Sequence, residues 1–255
     1  MTAPRRQGGG LFAHSGPIVA DGAMGTALPS RPAQALNLTR PDAVFALHRA
    51  YVEAGARLIV TNTIAAFDDE AACEAGVRLA RKAAEHDVIV AGSLPAVPGR
   101  TPQSCQRQVR ALAAADLLLV ETVRSLAALR ETVQAIRAVA TIPIACTVSF
   151  DEDGRLEGRR AGDVAHDLSE LGLAAFGYGC GFGPEQALLV MVEMRDAVPN
   201  AILIAKPSAG VRMTASPAAL GRWAKAAVAS GIQVIGACCG STPAHIRAIS
   251  EALIQ

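Results

Sequence analysis

Aromatic residues are scarce in this 255-residue chain, which holds 1 Trp, 2 Tyr and 6 Phe. An excess of charge is missing too: 24 Lys and Arg stand against 23 Asp and Glu, a formal net charge of +1. A chain so balanced carries no electrostatic footprint for nucleic acid. Apolar stretches such as Leu117 to Val120 and Ala187 to Val192 fall far short of the roughly 18 residues a membrane span needs. The N-terminal MTAPRRQGGGLFAHSGP has two arginines and a glycine run but lacks the apolar block of a secretory signal. Residues 1–15 therefore read as a disordered leader on a cytoplasmic protein. Cysteine is too sparse, at 6 residues, for a disulfide scaffold, and a bridge between adjacent Cys238 and Cys239 would be strained. Metal binding or catalysis suits these cysteines better.

What the chain does have is apolar content, 51% hydrophobic against 18% charged residues, enough for a folded core without staples. From Pro17 onward one plan repeats. A short β-branched run ends in small or polar residues and is followed by an Ala/Leu/Arg stretch with helical spacing. Eight such runs are centred near Ile18, Val60, Ile89, Leu119, Cys146, Gly177, Leu203 and Ile235. They lie about 26 to 42 residues apart, the length of a strand with its returning helix. Residues 16–255 are thus expected to form a single α/β domain, a compact (β/α)8 TIM-type barrel. Thr39 before Pro41 and Thr242 before Pro243 read as helix caps. DEDGRLEG at residues 151–158 reads as a turn after the fifth strand, without the ligand spacing of a calcium loop.

A barrel of this kind forms its active site at the C-terminal strand ends, so the residues closing each run are candidates for chemistry. They are Asp21, Thr61, Asn62, Thr63, Ser93, Glu121, Thr122, Thr147, Ser149, Cys180, Lys206, Cys238 and Cys239. Three thiolates meeting at one mouth repel one another unless a cation lies between them, and zinc accepts sulfur ligands in a tetrahedral shell. Neighbouring Cys238 and Cys239 can share one ion only if the backbone curls, which the flanking Gly236 and Gly240 allow. Three protein ligands leave a fourth position open for an exogenous thiol, whose pKa coordination lowers. Asp21 and Glu121 are then candidates to hold the ammonium of an amino-acid thiol, with the backbone N–H groups of Gly22, Ala23, Met24, Gly25 and Thr26 receiving its carboxylate.

At these residues the sequence resembles the homocysteine S-methyltransferase family, the zinc barrel shared by betaine-homocysteine methyltransferase, the S-methylmethionine-using enzymes and the homocysteine module of cobalamin-dependent methionine synthase. The resemblance runs from about Ile18 to the C-terminus. It rests on DGAMGT at Asp21 to Thr26, LNLTRPD at Leu36 to Asp42, YVEAGARLIVTNT ending at Thr63, ETV at Glu121 and, most specifically, GACCGSTPAHI at Gly236 to Ile246. The phrasing is closest to the methionine synthase module. The resemblance implies a zinc ion on Cys180, Cys238 and Cys239, a homocysteine amine on Asp21 and Glu121, and methyl transfer to homocysteine to give methionine. The sequence departs from the family pattern at Gly179 and Ser208, where asparagine is usual, and in shorter loops after the first and third strands.

The chain ends directly after its last predicted helix, so a corrinoid donor would arrive on a separate protein. The shortage of aromatics leaves little for the cage that a betaine-like quaternary ammonium favours, so betaine is the least favoured donor. A sulfonium compound or a separate methyl-corrinoid protein remains. Two rival readings stand beside this one: a Schiff-base barrel using Lys206, and a noncatalytic zinc- or thiol-binding subunit. Blander roles are weighed at single residues. Cys73, Cys105 and Cys146 read as small buried hydrophobes. Asp21 can cap a turn, Glu121 can be a structural acid, and Asn62 fits either role. The histidines at 14, 48, 86, 166 and 245 read as surface or packing residues, and the glycines at 177, 179, 181 and 183 do not keep dinucleotide-loop spacing.

Overall fold

The computed structural model describes residues 8–12, 16–210 and 214–254. Each apolar run becomes a strand: β1 (Ile18–Val19), β2 (Leu58–Val60), β3 (Ile89–Pro95), β4 (Leu117–Val123), β5 (Ile144–Val148), β6 (Ala175–Cys180), β7 (Leu203–Pro207) and β8 (Val234–Ile235). Neighbouring strands pair in parallel. An isolated bridge between Ala20 and Leu58 joins the two ends of this sheet, with Asp21 N–H donating to the Leu58 carbonyl at 2.9 Å. A helix follows every strand: α1 (Pro41–Glu53), α2 (Glu70–Ala83), α3 (Pro102–Ala111), α4 (Leu126–Arg137), α5 (Ala161–Ser169), α6 (Pro184–Ala197), α7 (Pro217–Ala229) and α8 (Pro243–Ile254). The fold is the expected (β/α)8 barrel.

The alternation of strand side chains divides the core into two layers. Ile18, Leu58, Val60, Ile89, Leu117, Leu119, Ile204 and Val234 fill the barrel interior together with alanines. Their neighbours, among them Ile59, Val90, Leu118, Val120, Phe176, Leu203 and Ile235, belong to the layer shared with the helices. Burying each such Leu, Ile or Val contributes about 1.5–3 kcal/mol. Cys73, Cys105 and Cys146 sit in this outer layer as buried free thiols, as the sequence suggests. Among the described residues no helix is long and apolar enough to cross a membrane.

Three local expectations change. Of the proposed disordered leader, residues 1–7 and 13–15 lie outside the described residues. Gly8–Leu11 forms a helical turn, and Leu11 is buried against Ile18, Leu58 and Leu117 in the barrel interior. Thr39 does not cap α1: it ends the short helix Leu36–Thr39, and its hydroxyl donates back to the Ala35 carbonyl at 2.9 Å, the local bond that competes with capping. The 151–158 turn carries a small ribbon, Arg155–Leu156 against Arg159–Arg160, reversed through Glu157 and Gly158, both at positive φ.

Candidate metal centre and substrate cavity

Cys180 closes β6, and Cys238 and Cys239 follow β8. Their three Sγ atoms lie within 4.8 Å of one another, with Cys239 Sγ 3.9 Å from both Cys180 Sγ and Cys238 Sγ. Tetrahedral zinc with sulfur at about 2.3 Å places its ligands roughly 3.8 Å apart, so the donor set fits that ion. The backbone turns sharply to achieve this. Cys180 takes φ +63° and Gly240 φ +82°, while Cys238 N–H donates to the Pro207 carbonyl at 2.8 Å and Ser208 N–H to the Cys180 carbonyl at 2.8 Å. Left-handed backbone is unusual for a non-glycine residue. The electrostatics ask for a cation as well. Hydrogen bonds from Cys238 and Cys239, together with the charge of Arg124, lower the Cys180 thiol, and that thiolate in turn pushes the other two thiols up.

Cys238 and Cys239 open onto a cavity of about 480 Å³, also lined by Gly22, Ala23, Met24, Gly25, Thr26, Asn62, Glu121 and Lys206. Glu121 reaches this wall through an irregularity in β4, where the register with β5 shifts between Val120 and Val123 and Thr122 adopts φ +56°. Such bulges re-aim side chains beside active sites. The Ser93 hydroxyl donates to Glu121 Oε1. Ser93 is itself fixed by its N–H to Thr61 Oγ1 at 2.9 Å and by the Thr63 hydroxyl on its carbonyl at 2.7 Å. Burial pushes the Glu121 carboxyl up, and the charge of Lys206 and the Ser93 hydroxyl pull against it.

The Gly22–Thr26 turn is pinned from beneath. Ala23 N–H donates to Ser241 Oγ at 2.9 Å, and the Tyr51 hydroxyl donates to the Ala23 carbonyl at 2.6 Å. A Cβ on Gly22 would lie 2.6 Å from Ser241 Oγ and 2.8 Å from Tyr51 Cε1, so glycine is required there. Ala23 N–H is therefore spent on the protein, whereas the N–H groups of Met24, Gly25 and Thr26 have no acceptor among the described residues. They are the uncommitted donors of the turn.

Asp21 is placed differently from the sequence expectation. It is fully buried and does not line the cavity. Its Oδ2 accepts from Val60 N–H at 2.7 Å and its Oδ1 from Lys206 Nζ at 2.6 Å. The physical reason is Lys206, whose side chain reaches it from β7 and supplies the cation. Burial alone would lower the lysine, but Asp21 and Glu121 outweigh it and hold Lys206 above its ordinary value. Asn62 lines the cavity but donates both amide hydrogens to protein, to the Ala33 carbonyl at 2.7 Å and Asn37 Oδ1 at 2.9 Å. It ties down the segment over β2.

Tyr51 and Ser241 escaped the sequence reading, because neither ends a β-branched run; the serine following the CCG sequence was the available signal. The departure at Gly179 also has a structural counterpart. A Cβ there would lie 2.4 Å from Thr147 Oγ1, and that oxygen accepts from the strained Thr122 N–H at 3.2 Å. Thr147 fills the space a larger residue at 179 would need. On the other side of Cys180 lies a second cavity of about 370 Å³, lined by Arg124, Phe150, Arg155, Glu157 and Phe182 among others.

A family model described as homocysteine S-methyltransferase matches residues 18–253. Betaine–homocysteine S-methyltransferase 1 of Danio rerio is 29% identical over 265 residues, covering 84% of this chain and 65% of that protein. Methionine synthase of Mycobacterium tuberculosis is 29% identical over 292 residues, covering 92% of this chain and 24% of that protein. The chain thus spans 65% of the length of the first relative and about a quarter of the second. The homocysteine methyltransferase MmuM of Escherichia coli, in its metallated form, shares the fold with a TM-score of 0.80 at 22% identity, covering 94% of this chain and 98% of that chain. By this match over nearly its whole length, the chain belongs to the homocysteine S-methyltransferase family.

Proposed function

We propose that the chain is a zinc-dependent S-methyltransferase that moves a methyl group onto the thiol of homocysteine to give methionine. The observation that carries this reading is three Sγ atoms within 4.8 Å of one another, with Cys238 and Cys239 lining a cavity that also holds Glu121 and the Gly22–Thr26 turn. Cys180, Cys238 and Cys239 would hold a zinc ion, which when bound would supply thiol activation by lowering the pKa of the substrate thiol. The chain's own residues do the rest. Glu121, held by Ser93, receives the substrate ammonium, since Asp21 is occupied by Lys206. The free amides of Met24, Gly25 and Thr26 receive the carboxylate. With both ends fixed, the sulfur is aimed at the donor methyl. A sulfur–carbon bond forms as the carbon–donor bond breaks, and the donor departs with that electron pair.

None of the described residues lining this cavity is aromatic, whereas Phe150 and Phe182 line the cavity at Cys180; two phenylalanines make a sparse cage, so a quaternary ammonium ranks below a sulfonium compound or a separate methyl-corrinoid protein as donor. The Schiff-base alternative loses support, because Lys206 is held as an ammonium against Asp21 and is not a free amine. The test is a donor screen. Zinc-loaded protein and homocysteine are incubated with S-methylmethionine, S-adenosylmethionine, methylcobalamin or betaine, and methionine is quantified; methionine from betaine alone would overturn the donor ranking. Methionine from one of the first two, or from the corrinoid, supports the reading and names the donor class. Homocysteine binding without methionine from any donor would reduce the chain to a thiol-binding protein.

A further inference from the structure

The mechanism above leaves Lys206 without a task beyond neutralising Asp21. Its side chain is only 4% exposed and that of Asp21 0%, yet Lys206 lines the same cavity as Glu121 and the Gly22–Thr26 turn. A lysine ammonium has three N–H donors. Asp21 Oδ1, at 2.6 Å, takes one, and no other described residue accepts from Nζ. A buried ammonium with unspent donors is costly unless a second acceptor arrives. Asp21 also fixes where the ammonium sits, because its other oxygen is held by Val60 N–H at 2.7 Å.

The cavity therefore presents one acid for a cation, Glu121, and one anchored cation for an anion, Lys206. A thiol amino acid has one group of each sign. We infer that Lys206 is a specificity-determining residue that receives the carboxylate of the thiol substrate, with Asp21 as its positioning residue. The inference rests on the proposed thiol-methylating function. Lys206 shares the carboxylate with the free amides of Met24, Gly25 and Thr26, and the site selects thiols that bear a carboxylate over those that bear only an amine.

The test is calorimetric binding of three thiols to zinc-loaded protein: homocysteine, its deaminated analogue 4-sulfanylbutanoate and its decarboxylated analogue 3-aminopropane-1-thiol. Lys206→Met should weaken the first two by about 10- to 100-fold, the range of a lost charged hydrogen bond. The third should stay within about twofold, since it lacks the group Lys206 binds. Because Lys206→Met leaves Asp21 buried and unpaired, the double variant Asp21→Asn with Lys206→Met is measured beside it and should show the same selective loss. Equal weakening of all three thiols, or unchanged homocysteine affinity, would overturn the inference. Wild-type protein that holds zinc but binds none of the three would overturn the proposed function and this inference with it. Wild-type binding that survives Lys206→Met intact would overturn the inference alone.

Discussion

Replacing Gly179 by alanine tests whether this chain has rebuilt the barrel mouth beside Cys180. The added Cβ would lie 2.4 Å from Thr147 Oγ1 and 2.6 Å from Thr147 Cβ, distances at which one side chain must move. Thr147 is buried, and its hydroxyl accepts from the backbone N–H of Thr122, a residue at φ +56°. Overpacking of this kind costs about 1–3 kcal/mol, and displacing the hydroxyl forfeits a hydrogen bond worth about 1 kcal/mol. Gly179→Ala is thus expected to lose roughly 2–4 kcal/mol in urea denaturation. Thr147→Gly alone should cost about 1–2 kcal/mol through the lost bond and the flexible backbone. The double variant should be no less stable than Thr147→Gly by more than about 0.5 kcal/mol, because the colliding atoms are gone. A Gly179→Ala protein as stable as wild type, or additive losses in the double variant, would refute the reasoning.

Glu121→Gln should raise the homocysteine Kd by about 10- to 100-fold, the cost of losing a charge-assisted contact, while metal analysis shows zinc content unchanged. Cys239→Ser should remove stable zinc binding, because Cys239 Sγ is 3.9 Å from both partner sulfurs; full zinc occupancy in that variant would contradict the ligand set. His48 is buried with neither ring nitrogen hydrogen-bonded among the described residues, and burial lowers its pKa from 6.5 to about 4. The unfolded chain takes up that proton first. The stability this residue contributes is therefore complete above pH 6.5, falls by about 1.4 kcal/mol per unit toward pH 4 and levels below it. His48→Leu should flatten urea-denaturation stability over that window, and an unchanged pH slope would contradict the burial argument.

The barrel was legible because its strands are β-branched runs whose alternate residues face two apolar layers, and the strand-end rule brought Glu121, Cys180, Cys238 and Cys239 to one mouth. The setting of Asp21 was not legible. It depends on Lys206, 185 residues away, reaching across β8 to β1, and no local pattern encodes such a contact. The Gly179 departure is visible in sequence but its reason is not, because it lies in space, where Thr147 on the neighbouring strand fills the place. Leu11 was hidden for another reason: a glycine-rich leader has the composition of a flexible segment, yet one leucine within it finds the apolar interior of the barrel.

The most direct measurement of the central claim is an absorption titration of the cobalt-substituted protein with homocysteine, read at the sulfur-to-metal charge-transfer band. The three-cysteine site predicts a thiolate band in the reduced, folded protein that grows and saturates at one homocysteine per chain. A thiolate band that homocysteine leaves unchanged would contradict substrate thiol binding at this centre, and no thiolate band at all would contradict the centre itself.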